Sequence, residues 1–157
     1  MIGWSEGALF SQMYGIMREH ISSPYGHKIK AVVAYSGSNP YHRKYEKGRD
    51  CESNYDFTTN LPIMLISRSC DTVSCAETPF SSRYQAEWTD TESMEAWEHT
   101  LNGDLKNSNV ERLIVDDNGQ SVSNCEVLSC TRWRAVKNHI TWPVEQEEAM
   151  LRFLFSK

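Results

Sequence analysis

The pattern of apolar and polar positions predicts helices and strands that alternate along the first half of the chain. From Ala8 to about Ser22, apolar side chains recur at the spacing of an amphipathic helix: Leu9, Met13, Ile16, Met17 and Ile21. Two short, continuously apolar runs follow at 29–35 and 61–67, and such runs are typical of strands buried on both faces of a parallel sheet. The long polar stretch between these two runs predicts an excursion near a binding site.

The second half of the chain predicts more elements of both kinds. They are a helix over 91–101, strands over 110–115, 125–128 and 131–137, and an amphipathic tail over 144–155 with Met150, Leu151 and Leu154 facing inward. Strands that alternate with helices imply an α/β fold with a largely parallel sheet. No repeat, linker or low-complexity segment interrupts the pattern. We therefore expect one domain, residues 1–157.

Composition and charge limit the classes of partner. The chain has 157 residues, of which 39% are hydrophobic and 24% charged, as in a globular protein. A net charge of -5 and the lack of a basic stripe interleaved with aromatics argue against nucleic acid. No apolar run approaches the roughly 18 residues that cross a bilayer. We expect neither a membrane nor a nucleic-acid partner.

The first residues carry the most informative motif, Gly3-Trp4-Ser5-Glu6-Gly7. A G-x-S-x-G sequence that opens into a helix is typical of a nucleophile elbow, the sharp strand-to-helix turn that presents a serine. Side chains two positions before and after the serine are expected to collide with the neighbouring chain, hence the glycines. Only Met1 and Ile2 precede the motif to supply a strand. We therefore expect the chain to be the C-terminal part of a longer hydrolase, with the upstream half as its partner.

Three candidate catalytic residues follow three predicted strands. Ser5, Asp71 and His139 each come just after a strand, and sites in parallel sheets gather at the carboxyl ends of the strands. The order Ser, Asp, His along the chain is that of α/β-hydrolases. The alternatives are a helix-capping role for Ser5, another histidine or another acid: His20, His27, His42, His99, Asp116 and Asp117.

The five cysteines include two pairs with the same spacing, Cys70 with Cys75 and Cys125 with Cys130. If each pair flanks a tight turn, its Cα atoms come within disulfide range. We predict these two bridges, with Cys51 left over, and hence a secreted or periplasmic location. A four-cysteine zinc site and reduced, buried cysteines are the alternatives.

The local signatures resemble those of the polyhydroxybutyrate depolymerase and feruloyl esterase group of α/β-hydrolases. In that group an elbow is followed by a strand that ends near an aspartate, and then by a histidine turn that ends in Trp-Pro. The corresponding segments here are Gly3–Gly7, Ile66–Asp71 and Asn138–Pro143, and the stretch from Glu95 to Gly103 is also similar. The resemblance spans nearly the whole chain and the catalytic half of such an enzyme.

The resemblance and the chemistry together assign expected roles. Ser5 is the nucleophile, His139 the general base and then acid, and Asp71 the group that orients the imidazole. The backbone N–H of Glu6 is an expected oxyanion donor. Trp4 and Trp142 are candidates for the wall of the acyl pocket, or for the core.

The expected activity is that of a serine esterase acting on polyhydroxyalkanoate-type, feruloyl or acetyl esters through an acyl-enzyme. No cofactor and no metal are expected. Two alternatives remain open at this point. One is a truncated or non-catalytic hydrolase-like fragment, and the other is a peptidase of the same fold.

Overall fold

The computed structural model describes residues 1–18, 29–37, 58–71, 94–123 and 130–157. It contains five strands: β1 (Ile2–Trp4), β2 (Val32–Tyr35), β3 (Ile63–Arg68), β4 (Val110–Val115) and β5 (Ser121–Val122). The helices are α1 (Glu6–Arg18), α2 (Met94–Gly103), α3 (Arg132–Ile140) and α4 (Glu147–Phe155), and a 3₁₀ turn at Val144–Gln146 precedes α4.

The strands form one sheet in the order of the sequence, β1-β2-β3-β4-β5. The first four are mutually parallel and β5 runs antiparallel to β4. Trp4 lies opposite Tyr35, and Tyr35 lies opposite Ile66, so the carboxyl ends of β1, β2 and β3 meet at one edge. The mostly parallel sheet flanked by helices confirms the predicted α/β class of the α/β-hydrolase type.

Helices cover both faces of this sheet, as the apolar strand runs require. Alternate residues of β2 point to opposite faces, because the side-chain period of a strand is two. Val32 and Ala34 pack in a cluster that includes Ile16 from α1 and Trp97 from α2. Val33 and Tyr35 pack instead with Met150 and Phe153 from α4.

The predicted strand at 131–137 is wrong, since these residues begin helix α3. The alternation of charged and apolar residues here suggests a period of two, yet Trp133 is 85% exposed and Val136 is also exposed. The helix instead buries Ala135 and Asn138, which lie three residues apart on one face. Thr131 is its N-cap, with the hydroxyl oxygen accepting a hydrogen bond from the Arg134 N–H at 3.3 Å.

Three further predictions of local structure need correction or fall outside the described residues. In the C-terminal tail, Met150 is buried as expected, but Phe153 faces inward and Leu151 is exposed. In α1, Ile16 is buried while Met13 and Met17 lie exposed, so the helix buries a different stripe from the one predicted. The predicted strand at 125–128 lies outside the described residues.

The disulfide pairing differs from the one that the equal spacings predict. Cys70 is bonded to Cys130, 60 residues later in the chain, with 5.5 Å between the Cα atoms. The predicted Cys70–Cys75 and Cys125–Cys130 bridges are therefore wrong. Cys130 meets Cys70 because the folded chain returns to the end of β3. The spacing of cysteines along the chain does not predict such a long-range contact. The positions of Cys75 and Cys125 lie outside the described residues.

Two features that would indicate a membrane or a metal partner are absent from the described ranges. None of the helices in these ranges is long and apolar enough to cross a membrane. Within the same ranges, no group of three or more His, Cys, Asp or Glu side chains is arranged to hold a metal ion.

Candidate active site

Ser5 occupies the sharp turn between β1 and α1. Its backbone has φ = 53°, in the left-handed region that non-glycine residues rarely adopt. The Ser5 N–H donates to the carbonyl of Tyr35 at 2.9 Å, and the Ser5 carbonyl accepts from the Ala8 N–H at 2.9 Å. These bonds hold a conformation that costs on the order of 1–3 kcal/mol, as is common at functional sites. The result is a serine presented at the edge of the sheet.

The two glycines of the motif are not equivalent. A Cβ atom added to Gly3 would lie 2.1 Å from the Gly7 carbonyl oxygen and 2.4 Å from Ser11 Oγ. Nothing lies within 4 Å of a Cβ added to Gly7. The predicted collision therefore exists at Gly3, where β1 and α1 approach closely. At Gly7 the described structure gives no steric reason for glycine, so that part of the prediction is wrong.

Asp71 lies just beyond the end of β3, and its side chain is fully buried. One carboxylate oxygen, Oδ1, is 3.3 Å from His139 Nδ1. The other, Oδ2, accepts a hydrogen bond from the Ser36 hydroxyl at 2.5 Å. The carboxylate thus has a fixed orientation, with one oxygen directed at the imidazole.

His139 comes from the last turn of helix α3 rather than from the end of a strand. Its Nε2 atom is 2.9 Å from Ser5 Oγ. An ionised Asp71 only accepts hydrogen bonds, so it selects the imidazole tautomer with the proton on Nδ1. That tautomer leaves the Nε2 lone pair to accept the Ser5 hydroxyl proton. The geometry therefore joins Ser5, His139 and Asp71 in one chain of hydrogen bonds.

The backbone around His139 is anchored from several elements. The Trp4 Nε1–H donates to the His139 carbonyl at 2.9 Å. The Tyr35 hydroxyl lies 3.0 Å from the Asn138 carbonyl and also contacts the Thr141 carbonyl. Asn138 Nδ2 donates to the Ser69 carbonyl at 2.6 Å. These contacts place the end of α3 against the carboxyl ends of β1, β2 and β3.

The two alternative acids, Asp116 and Asp117, have contacts of their own in the structure. Asp117 contacts Arg134 at 2.7 Å and Asn138 at 2.8 Å. Burial acts to raise the pKa of Asp117, but hydrogen bonds from Arg134 and Asn138 outweigh it and the pKa is lowered. Asp116 accepts bonds from backbone N–H groups within the β4–β5 turn. Both aspartates thus have structural contacts away from the imidazole.

Of the four alternative histidines, the structure describes only His99. His99 is exposed on α2, and the acid Asp71 contacts His139 instead. The positions of His20, His27 and His42 fall outside the described residues.

The remaining candidates have distinct surroundings. Glu6 is the first residue of α1, and its side chain is exposed. Backbone N–H groups in the first turn of a helix have no acceptor within the helix. Trp142 packs edge-on against Tyr35, with ring centroids 5.5 Å apart, and its Nε1–H donates to Glu147 at 2.7 Å. Trp142 therefore has a packing role. Trp4 is 41% exposed and lies next to Ser5.

The sequence analysis did not identify two residues that contact the triad or the segment around His139, namely Tyr35 and Ser36. The apolar run 29–35 predicts Tyr35 as the last residue of a buried strand, and Ser36 directly follows it. The available signal was their position at the carboxyl end of the strand that lies between the strands of Ser5 and Asp71. The order of strands in the sheet, which gives that position its meaning, becomes known only from the tertiary structure.

Comparison with models of known protein families gives a match. The family model described as serine hydrolase (FSH1) matches residues 1–101, a range that includes Ser5 and Asp71 and ends before His139. No curated protein and no solved structure matches the chain.

Proposed function

Because the chain belongs to the serine hydrolase (FSH1) family, we propose that it hydrolyses carboxylic esters through an acyl-enzyme on Ser5. The observation that carries the proposal is the chain of contacts from Ser5 Oγ to His139 Nε2 at 2.9 Å and from His139 Nδ1 to Asp71 at 3.3 Å. A base that touches the nucleophile and an acid that touches the base are the arrangement that serine acyl transfer needs.

The first step is attack of Ser5 Oγ on the ester carbonyl carbon, while His139 Nε2 takes the hydroxyl proton. The tetrahedral intermediate then expels the alkoxide leaving group, which receives that proton from His139 and departs as an alcohol. Water then attacks the carbonyl carbon of the acyl-enzyme, while His139 again takes the proton. The second tetrahedral intermediate expels Ser5 Oγ, which regains its proton from His139, and the carboxylic acid is released. Asp71 stays ionised and stabilises the imidazolium in both halves.

The negative charge on the reacting carbonyl oxygen requires donors fixed in advance. The Glu6 backbone N–H is our candidate for one of them, because it directly follows Ser5 at the start of α1. The N-terminal end of that helix also carries partial positive charge. The exposed Glu6 side chain has no part in this role.

For the substrate we propose polyhydroxyalkanoate-type, feruloyl or acetyl esters, on the basis of the sequence resemblance. The half-exposed ring of Trp4 next to Ser5 supports an acyl group with apolar surface. A peptidase of the same fold would use the same three residues with an amine leaving group. A peptide substrate assayed beside an aryl ester separates the two activities.

We also propose that a segment upstream in the same gene product packs against β1 and α1. Within the described residues, β1 pairs on one side only, with β2. The outward face of α1 exposes four large apolar side chains at helical spacing: Phe10, Met13, Tyr14 and Met17. An open strand edge next to an apolar helix face is a surface that proteins normally cover.

We also propose a secreted or periplasmic location. The Cys70–Cys130 bridge supports it, because structural disulfides persist in oxidising compartments.

The test of the proposed function uses a short-chain aryl ester and the variant Ser5→Ala. We expect Ser5→Ala to lower kcat by on the order of 10⁴–10⁶. Ser121→Ala is the matched control, because Ser121 lies on β5 at the opposite edge of the sheet. A fluorophosphonate probe should label the parent protein and Ser121→Ala but not Ser5→Ala. Ester turnover that survives Ser5→Ala would rule out the proposed mechanism.

A further inference from the structure

Tyr35 and Ser36 stand at the carboxyl end of β2, between the strand that leads to Ser5 and the strand that leads to Asp71. We propose that this Tyr35–Ser36 pair positions the whole triad: Ser36 orients the acid, and Tyr35 fixes both the histidine segment and the nucleophile. This inference rests on the proposed function for its kinetic consequences. The contacts from which it is argued do not depend on the substrate.

Ser36 acts on the acid. Its side chain is fully buried, and its hydroxyl donates to Asp71 Oδ2 at 2.5 Å while the other carboxylate oxygen faces His139. The Ser36 backbone has φ = 53° and is held there by an N–H donated to the Ile66 carbonyl at 2.9 Å. A non-glycine residue kept in this conformation, with its hydroxyl on a buried carboxylate, is typical of strain retained for function.

Tyr35 acts on the other two members. Its carbonyl accepts the Ser5 N–H at 2.9 Å, which supports the turn that presents the nucleophile. Its hydroxyl reaches the carbonyls of Asn138 and Thr141, which flank His139 on both sides. Burial raises the pKa of Tyr35, so the phenol keeps its proton and remains a donor through the neutral range. One residue thus links the nucleophile turn to the end of α3.

The charged groups around the pair have their own partners. Arg68, on β3, contacts Glu145 at 2.5 Å. Asp117, from the β4–β5 turn, contacts Arg134 at 2.7 Å. Arg68 also interacts with the Tyr35 hydroxyl, so deleting that hydroxyl alters the surroundings of the Arg68–Glu145 pair. The pH dependence is therefore tested on Ser36→Ala, whose hydroxyl contacts Asp71 directly.

The variants Ser36→Ala and Tyr35→Phe each delete one buried hydroxyl and leave the backbone contacts in place. Ser69→Ala is the matched control, because it removes only the hydroxyl and keeps the Ser69 carbonyl that accepts from Asn138. Ser69 is also fully buried, at the end of the neighbouring strand β3, and its hydroxyl has no hydrogen-bond partner in the described structure. The parent and the three variants are assayed on the same aryl ester. Each is assayed either as the 157-residue chain or as the protein extended by its upstream sequence, whichever of the two turns over faster.

We expect each of the two positioning variants to lower kcat about tenfold with KM unchanged, since they loosen the catalytic groups and leave substrate contacts intact. Ser36→Ala should also move the acid limb of the pH–rate profile to higher pH. Without the donor, the negative charge on the Asp71–His139 pair is less stabilised, so the pair takes up a proton more readily. Ser69→Ala should match the parent in kcat, KM and pH profile.

A second measurement does not need turnover. The titration of the His139 ring, followed by NMR, should shift its midpoint upward in Ser36→Ala and not in Ser69→Ala. An unshifted midpoint, or an equal effect of Ser69→Ala, overturns the positioning role. A shifted midpoint in a protein without Ser5-dependent hydrolysis overturns the proposed function and leaves the positioning role standing.

Discussion

At the scale of single residues, the turn at Ser5 shows how close packing selects amino acids. β1 and α1 approach so closely that a side chain at position 3 would overlap a backbone oxygen. Ser5 itself adopts a left-handed backbone conformation and is held there by hydrogen bonds to β2 and α1. The identity of Gly3 is therefore explained by the space available, whereas that of Gly7 is not.

The two glycines make a matched pair of variants. We expect Gly3→Ala to lower the free energy of unfolding by about 1–3 kcal/mol or more and to slow the labelling of Ser5, because β1 and α1 must separate. Gly7→Ala should leave the free energy of unfolding unchanged or raise it by up to about 1 kcal/mol, since alanine favours the helix. Urea unfolding and fluorophosphonate labelling measure both effects. A Gly7→Ala loss as large as that of Gly3→Ala would show that a segment outside the described residues occupies the space next to Gly7.

At the scale of elements, helix α3 depends on contacts at both of its ends. Cys130, just before the N-cap Thr131, is bonded to Cys70, which directly precedes Asp71. At the other end, the segment around His139 is bound by Trp4 and Tyr35. The bridge therefore joins the start of the helix that carries the base to the residue beside the acid.

We expect Cys130→Ser to lower both stability and activity. A cross-link between residues 60 apart is worth about 4 kcal/mol in the chain-entropy account. Its loss also frees α3 relative to Asp71, so kcat should fall along with the free energy of unfolding. Cys51→Ser is the control, because Cys51 is not part of the Cys70–Cys130 bridge.

Urea unfolding and ester turnover, each with and without reductant, measure the effect of the bridge. Reductant should affect the parent and Cys51→Ser in the same way. Peptide mapping of the oxidised protein that finds Cys70 joined to Cys75 would contradict the bridge described here.

At the scale of the whole molecule, the surface around β1 and α1 combines an open strand edge with exposed apolar side chains. β2 and β3 are buried along their whole length and β4 has a neighbour on each side, while β1 has one open edge in the described structure. Ile2 and Trp4 on that strand are about two-fifths exposed, at 42% and 41%. Together with the apolar outer face of α1, they form the surface on which we place the proposed upstream segment.

We expect the 157-residue chain alone to be a weaker catalyst than a protein extended by its upstream sequence. A second oxyanion donor supplied by that segment would account for a factor of about 10²–10³ in kcat. The measurement is turnover of one aryl ester by both proteins, each with its Ser5→Ala variant as the blank. Equal turnover that Ser5→Ala abolishes in both would contradict the need for an upstream segment.

The amino-acid sequence by itself determined the α/β class, the positions of β2, β3 and β4 and of helices α1, α2 and α4, and the choice of Ser5, Asp71 and His139. These follow from local information: apolar runs of strand length, helical spacing, and polar residues placed just after strands for Ser5 and Asp71. His139 lies in a helix, and its choice rests on the chain order and the following Trp-Pro motif. Ser5 and Asp71 lie at the same edge of the sheet, because parallel strands bring their carboxyl ends to one side. The structure places the three side chains in contact, and their catalytic roles stay predictions until Ser5→Ala is assayed.

Only the tertiary structure decided how distant segments pair. The period-two pattern at 131–137 suggested a strand, but burial of Ala135 and Asn138 against the sheet makes this segment a helix. Equal spacing suggested local disulfides, but the return of the chain to the end of β3 joins Cys70 to Cys130. Tyr35 and Ser36 gain their positions from the order of the strands. Such contacts depend on which surfaces meet after folding, and no local sequence pattern encodes that.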